Sequence, residues 1–542
     1  MLRYQSCALI VAIVLLLQFT AASHAGSMRS TFFGGDGEEW DIALPVEMAI
    51  DADGFIYVAG STNSTNLPTS VTAYDPDFNG GEWDIFLAKF TPDLTQMAAA
   101  TYLGGSDQDF AYAITIDGAG HVYVTGQTLS ADFPVTENSY KNEYSANGDV
   151  FITKLDRDLS VVHASTFLGD SGREYASGIT WDADYIYLTG NTFSTNFPVT
   201  TGAFDEDANG QVDGFVAKLD PDLTQLVQST FIGGSVYDVP HDLALDAGGN
   251  IYLTGQTSSA DFPVTAGAYD ESYNGGTPFI GDVFVAKMSN DLGALLAATF
   301  LGERSDDGAF SVAISGGQGI YITGHTNSFF FPTTDNAYQQ GYGGGNQEVF
   351  VARFDANLAG LTACTLLGGW DTDLDPDLIL TPEADVYVTG GTLSTQFPVT
   401  GDGYDPNPNG GYDLFISKFD SLLTTLEASS YFGGSSNESS AAIQVHSQGV
   451  YVAGGTMSVN LPTQNRSYDS SLNGATDIFV AKFDAALTRS PYDLNRDGHI
   501  DRLDLGLLLI QWNTASENCP ECDFNTNGRI DIQDVQMLIE QL

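Results

Sequence analysis

One seven-residue pattern governs what this chain can fold into. An acid, an apolar residue or glycine, Phe, an aliphatic residue, a small residue, a base and an apolar residue follow one another seven times. The copies are Asp84–Phe90, Asp149–Leu155, Asp213–Leu219, Asp282–Met288, Glu348–Phe354, Asp413–Phe419 and Asp477–Phe483. The proline of a Phe-Pro or Leu-Pro step recurs at 68, 134, 198, 263, 332, 398 and 462, so the period is 64–69 residues. Self-similarity at a fixed period of tens of residues marks a solenoid, a propeller or an array.

Each unit reads as four strands. In the second unit these are Ala113–Asp117, Val122–Gly126, Asp149–Leu155 and Val161–Leu168, separated by turns rich in Gly, Asp and Asn. No helical period competes before the last fifty or so residues. Strands apolar on both faces fit blades that pack on neighbours at either side, so a propeller is expected. The ends argue for closure. The seventh unit has no fourth strand after Asp477–Phe483, and the missing copy stands near the N-terminus as Ser30-Thr31-Phe32-Phe33-Gly34-Gly35. Pairing these two edges leaves no open strand, whereas an open solenoid would need capping repeats. The fold class expected is mainly β: a seven-bladed propeller closed by the N-terminal strand, followed by a small helical module.

The combination of L-G-G, D-x-x-G-x-x-Y-V-T-G-x-T, F-P-V-T and D-x-F-V-A-K-L resembles the SBBP-type β-propeller repeats of bacterial exported proteins, over roughly residues 28–489. The resemblance implies a propeller and a secreted or surface location, but no reaction. The N-terminus agrees. Arg3, an apolar run Cys7–Phe19 and Ser23-His24-Ala25 read as a signal peptide over 1–25. The run is too short to span a bilayer. The propeller is then assigned to 26–489 and the terminal module to 490–542.

That module holds two Asp-rich loops. Asp493, Asn495, Asp497, His499, Asp501 and Asp504 occupy positions 1, 3, 5, 7, 9 and 12 of the first; Asp523, Asn525, Asn527, Arg529, Asp531 and Asp534 occupy those of the second. Hard oxygen ligands at these positions, with Gly at 6 and a backbone carbonyl at 7, form an EF-hand-type calcium loop, here twice and each followed by an apolar helix. The segment resembles a dockerin type I module, which implies two Ca²⁺ ions and a cohesin partner. The family often has Ser-Thr at loop positions 10 and 11; this chain has Arg502-Leu503 and Ile532-Gln533. Cys519 and Cys522 form either a local disulfide or two free thiols, and Cys364 reads as a small buried residue.

Charge narrows the partners. Seventy acidic and 18 basic residues give a formal net charge of −52, which repels nucleic acid and attracts cations. The seven repeat bases and the Tyr at 57, 123, 187, 252, 321, 387 and 451 recur too evenly to be a site and read as packing between blades. The acidic blade connections (Asp36, Glu38 and Glu39; Asp107 and Asp109; Asp306 and Asp307; Asp371, Asp373, Asp375 and Asp377) share a face with the long loops, so a ligand is expected there. In those loops Asp205, Asp207, Asn209 and Asp213 have calcium-loop spacing, echoed by Asp405, Asn407, Asn409 and Asp413 and by Asp469, Ser471, Asn473 and Asp477. Asp75, Asp77 and Asn79 come close, while the second and fifth units lack the pattern. Asn-Gly turns with solvated Asp are the preferred reading, because position 12 is not acidic; further ions in these loops are the other. Gly169-Asp170-Ser171-Gly172 mimics a serine-protease string but sits in a blade connection. No catalytic residue is assigned; were there a reaction, a glycan-active hydrolase or lyase is the expected class. Three functions are carried: a non-catalytic exported scaffold docked through calcium to a cohesin-like or cell-surface protein, a component of polysaccharide catabolism with a carbohydrate ligand, and an adhesion or envelope protein.

Overall fold

The computed structural model describes residues 28–39, 45–316, 319–463 and 466–487, and in the C-terminal segment 494, 502–511, 519, 522–526 and 529–539. Two compact units are distinguished. Met28–Thr488 is the β unit, and the C-terminal helices belong to the other.

The β unit consists of seven four-stranded antiparallel sheets. Six are sequential meanders. In the seventh, Arg29–Phe33 pairs with Asp477–Phe483, which continues through Gly449–Thr456 to Glu438–His446. The register sets Phe32 opposite Phe479 and Phe33 opposite Ile478, so chain segments more than 430 residues apart close the ring. The expected seven-bladed, N-terminally closed propeller is what the chain forms.

All seven repeat motifs are third strands, with the bounds read from sequence. They are interior strands, bonded on both edges, and a neighbouring blade packs on each face, so both side-chain faces are buried. First strands begin earlier than expected: in the second blade Asp109–Ile116 replaces Ala113–Asp117. A register shift between Ala111 and Ala113 breaks the alternation that sequence reading relies on.

The evenly recurring residues bind blade to blade. Tyr57 and Lys89 stand opposite each other on adjacent strands, and both donate at 2.9 Å to the Arg157 carbonyl, in the next blade's last turn. Tyr123 and Lys154 do the same to Pro221, and across the closure Tyr451 and Lys482 to Pro92. The ammonium of Lys89 lies 5.0 Å from the Tyr57 ring centre, adding a cation–π contact. The turns that receive them carry leucines at positive φ, among them Leu94 at 55°, Leu159 at 52° and Leu292 at 50°. Left-handed backbone costs a leucine about 1–2 kcal/mol. Each of these side chains is fully buried in a core, and burying a leucine returns about 1.5–3 kcal/mol. Each carbonyl also accepts a neighbouring blade's amide, as Leu159 does from Tyr74.

The C-terminal segment forms two helices, Arg502–Ile510 and Ile532–Ile539. Leu508, Cys522, Ile530, Val535 and Leu538 make its buried core. Cys519 and Cys522 are disulfide-bonded, while Cys364 is a buried free thiol whose pKa burial pushes up. Among the described residues no helix is long and apolar enough to cross a membrane. The leader expected over 1–25 lies outside them.

Candidate functional sites

The first strands line an axial cavity of about 760 Å³. Its wall carries Glu47, Asp242, Asp375 and Asp377, with His241 and no lysine or arginine among its described residues. Asp375 and Asp377, which sequence alone places in an acidic blade connection, thus line the cavity instead, beside Glu47 and Asp242, which the sequence pattern does not single out. Asp242 accepts backbone N–H groups from Leu243 and, across the blade boundary, from Val312 at 2.9 Å; Asp377 accepts from Leu378 and Ile443 in the same way. They are staples between first strands. Burial pushes Asp242 up to about 7 and Asp377 up to about 6. Asp375 is open to channel water yet walled by protein, and is pushed up to about 6. Burial, reinforced by the charges of Asp377 and Asp242, holds Glu47 well above the usual carboxylate range. Desolvation in the wall holds His241, half-buried, neutral, with its pKa lowered to about 4.

This lining suits water or a cation and offers no activated nucleophile. A carboxyl whose folded pKa exceeds its unfolded value gives full stability below the unfolded pKa and loses it as pH rises through the folded one. Glu47→Gln removes one repelling charge. Its melting temperature should therefore rise above that of the parent at pH 8, by roughly 1 °C for each kcal/mol in a unit of this size, and match it near pH 4.5. Equal melting temperatures at both pH values would count against mutual repulsion in the channel.

Other sequence candidates separate cleanly. Of the acids that sequence places in the acidic connections, Asp109, Asp307 and Asp373 are buried at the starts of first strands, and Glu39 is buried in its connection. Gly169 to Gly172 is a blade connection, as expected, between strands ending at Leu168 and starting at Glu174. Trp83 is buried and Trp370 is 72 % exposed; Trp40 lies outside the described residues.

In the C-terminal module Asp504, Asp523, Asn525, Arg529, Asp531 and Asp534 are described; Asp493, Asn495, Asp497, His499, Asp501 and Asn527 are not. The position-12 acids turn into their own loops. Asp504 Oδ1 accepts the Leu494 amide at 2.7 Å, and Asp534 accepts those of Asn525 and Asp531 at 3.3 and 2.8 Å. Both carboxylates are fully buried and Asp523 nearly so. Buried carboxylates folded back over their loops are a hard oxygen donor set of the kind Ca²⁺ takes. Asp531 also caps the second helix, accepting the Gln533 amide at 2.9 Å. No set of three or more Asp, Glu, His or Cys at metal-holding spacing occurs among the described residues.

The family model of the dockerin type I domain matches residues 491–542, and that of a beta-propeller repeat, SBBP, matches 45–68, 100–134 and 225–263. The chain carries SBBP propeller repeats and ends in a dockerin type I domain. Type I dockerins bind calcium and dock onto cohesins. No curated protein matches the chain in sequence. Among solved structures, the chain is similar to a polysaccharide lyase of family PL25, an ulvan lyase, at 12% identity and TM-score 0.42, covering 86% of this chain and 98% of that one. It is also similar to virginiamycin B lyase from Staphylococcus aureus at 8% and 0.37, over 85% and 100%, and to a protein of unknown function from Dyadobacter fermentans at 11% and 0.36, over 84% and 99%. Likeness at this level carries nothing about chemistry.

Proposed function

We propose that the chain is an exported scaffold. Its SBBP ring presents a binding face, and its dockerin, loaded with two Ca²⁺ ions through the twelve loop positions given above, fastens it to a cohesin-like or cell-surface protein. The observation that carries the reading is the dockerin itself, with both position-12 carboxylates buried over their loops. The first dockerin helix supports it: Leu507, Leu509 and Ile510 are exposed, an apolar patch of the sort a partner covers. A ring whose recurring tyrosines and most of whose recurring bases bind blade to blade, and two of whose channel acids, Asp242 and Asp377, are staples between first strands, supports a scaffold.

Calorimetry on the full chain should show calcium uptake that Asp493→Ala and Asp523→Ala each reduce. Capture by an immobilised type I cohesin should be abolished by EGTA. A flat titration would refute the docking role, and release of product from any polysaccharide would refute the non-catalytic one.

A second reading, glycan binding in polysaccharide catabolism, has one observation in its favour. Phe329 and Phe330 are 66 % and 79 % exposed in the long loop of the fifth blade, and the exposed Trp370 stands in the connection that leaves that blade on the same face. Aromatic side chains held in water are what a sugar ring stacks on. Trp370→Ala should weaken retention on a glycan array under this reading and leave cohesin capture unchanged.

A further inference from the structure

Every blade fixes one long-loop residue by the same pair of hydrogen bonds to a hydroxyl of the ring's adjoining fourth strand. Asp75 gives its amide to Thr101 Oγ1 and takes that hydroxyl on its carbonyl; Lys141 does so with Thr166, and Gln339 with Thr365. The position is Asp in five blades (75, 205, 270, 405 and 469), always followed four residues later by Asn. Each Asn donates its side-chain amide to that Asp and its backbone amide to the third-strand acid. In the first blade the distances are 3.0 Å from Asn79 Nδ2 to Asp75 Oδ2 and 2.5 Å from Asn79 N to Asp84 Oδ2. The carbonyl of the first glycine of L-G-G points to the same place, with Gly104 O at 3.4 Å from Asn79 Nδ2. Two carboxylates and a carbonyl thus converge on one asparagine, Asp75 and Gly104 at its side-chain nitrogen and Asp84 at its backbone amide.

These carboxylates lack counter-charge. Asp84, Asp282 and Asp413 are at most 1 % exposed, and the Oδ1 of each has no hydrogen-bond partner. The next blade adds another acid. Asp109 is fully buried, and a Cβ placed on Gly104 would stand 2.5 Å from Asp84 Oδ1 and 2.9 Å from Asp109 Oδ2. An unsatisfied buried carboxylate beside another is costly unless something positive joins them. Burial and the charges of Asp109 and Asp75 push Asp84 up to about 7; burial and those of Asp307 and Asp270 push Asp282 up to about 8.

The second blade shows what belongs there. Lys141 replaces the Asp, and its ammonium donates to Asp149 Oδ2 at 3.0 Å, to the Gly169 carbonyl at 2.8 Å and to Ser145 Oγ. Those atoms correspond to Asp84, Gly104 and the Asn79 side chain of the first blade. In the fifth blade Gln339 donates to Glu348 instead. A cation, or at least a donor, built into the chain occupies the spot in the two blades that lack the Asp.

We propose that the five Asp-x-x-x-Asn blades each hold a Ca²⁺ ion at the spot the Lys141 ammonium fills in the second blade. Its ligands in the first blade are Asp75, the Asn79 side-chain oxygen, Asp84 and the Gly104 carbonyl, with Asp109 from the next blade behind them. The corresponding acids elsewhere are Asp205 and Asp213, Asp270 and Asp282, Asp405 and Asp413, and Asp469 and Asp477. The Asn amide turns round to offer its oxygen, an orientation fixed only by its partners. Two carboxylates with neutral oxygens form a calcium-type set. The acid that position 12 lacks is supplied by the adjoining blade, and so only the closed ring assembles the site. The inference stands whether or not the dockerin finds a cohesin.

The test counts ions. The full chain carrying Asp493→Ala and Asp523→Ala, which disables the dockerin loops, is loaded with Ca²⁺, desalted and assayed by inductively coupled plasma mass spectrometry. About five ions per chain should remain, and adding Asp205→Ala or Asp405→Ala should each remove one. EGTA should lower the ring's melting temperature, and Ca²⁺ should restore it. Fewer than one ion per chain, or a count that Asp205→Ala and Asp405→Ala together leave unchanged, would overturn the proposal.

Discussion

Phe32→Asp should cost the ring most of its stability, with a melting temperature about 5 °C or more below the parent or with aggregation on expression. Phe32 is fully buried and lies opposite Phe479, and the strand it belongs to is the sole outer partner of Asp477–Phe483. Losing the buried ring removes about 2–3 kcal/mol of apolar burial. Placing a carboxylate there adds several more, because nothing basic faces it. Together they approach the whole margin of a typical domain, about 5–15 kcal/mol. The neighbouring Phe33 reaches into the first blade, 5.6 Å from Phe86 and 5.8 Å from Phe90 between ring centres, so the same strand also seals the blade boundary. Phe32→Leu should be milder, about 1–1.5 kcal/mol, because it keeps the apolar character and most of the volume. A Phe32→Asp protein that melts within two degrees of the parent would mean that the ring does not depend on its closing strand.

That strand is also where sequence reading did best, for a physical reason. A propeller repeats its unit around a circle, so a missing fourth strand at one end and a spare one at the other admit one arrangement. Third strands were legible to the residue because an acid opens each and a turn with a buried leucine follows each. First strands were not, since the shift at Ala111 and Ala113 hides their alternation.

The acids were the least legible. Asp107 and Asp109 are two residues apart in one connection, yet the first is exposed and the second fully buried, held by the Gly105 amide and Ser130 Oγ. A letter pattern reports neither. Nor does it report that Asp75 and Asp109, in different repeats, both act on Asp84, because that proximity exists only between packed blades. In the dockerin, by contrast, the positions proposed as ligands are local in sequence, six within each run of twelve residues.

The second large effect concerns Lys141. Its ammonium is the one positive charge paired with a third-strand acid among the described residues, and Asp149 beneath it is fully buried. Breaking a buried pair by removing one partner costs about 3–5 kcal/mol, since the other charge stays behind. Lys141→Met should therefore destabilise the ring by about that much in calcium and in EGTA alike, for the methionine provides neither charge nor ligand. Lys141→Asp should behave differently. It gives the second blade the carboxylate that five other blades carry at this position, with Ser145 in place of the Asn. In EGTA it should be the worse of the two, with one more carboxylate crowded against Asp149 and Glu174. In millimolar Ca²⁺ it should recover past Lys141→Met and bind one ion more than the parent. Thermal melts of both variants in both buffers read the difference. If calcium raises them equally, the ammonium of Lys141 is not standing in for a metal ion, and the acids between blades are balanced by protons instead.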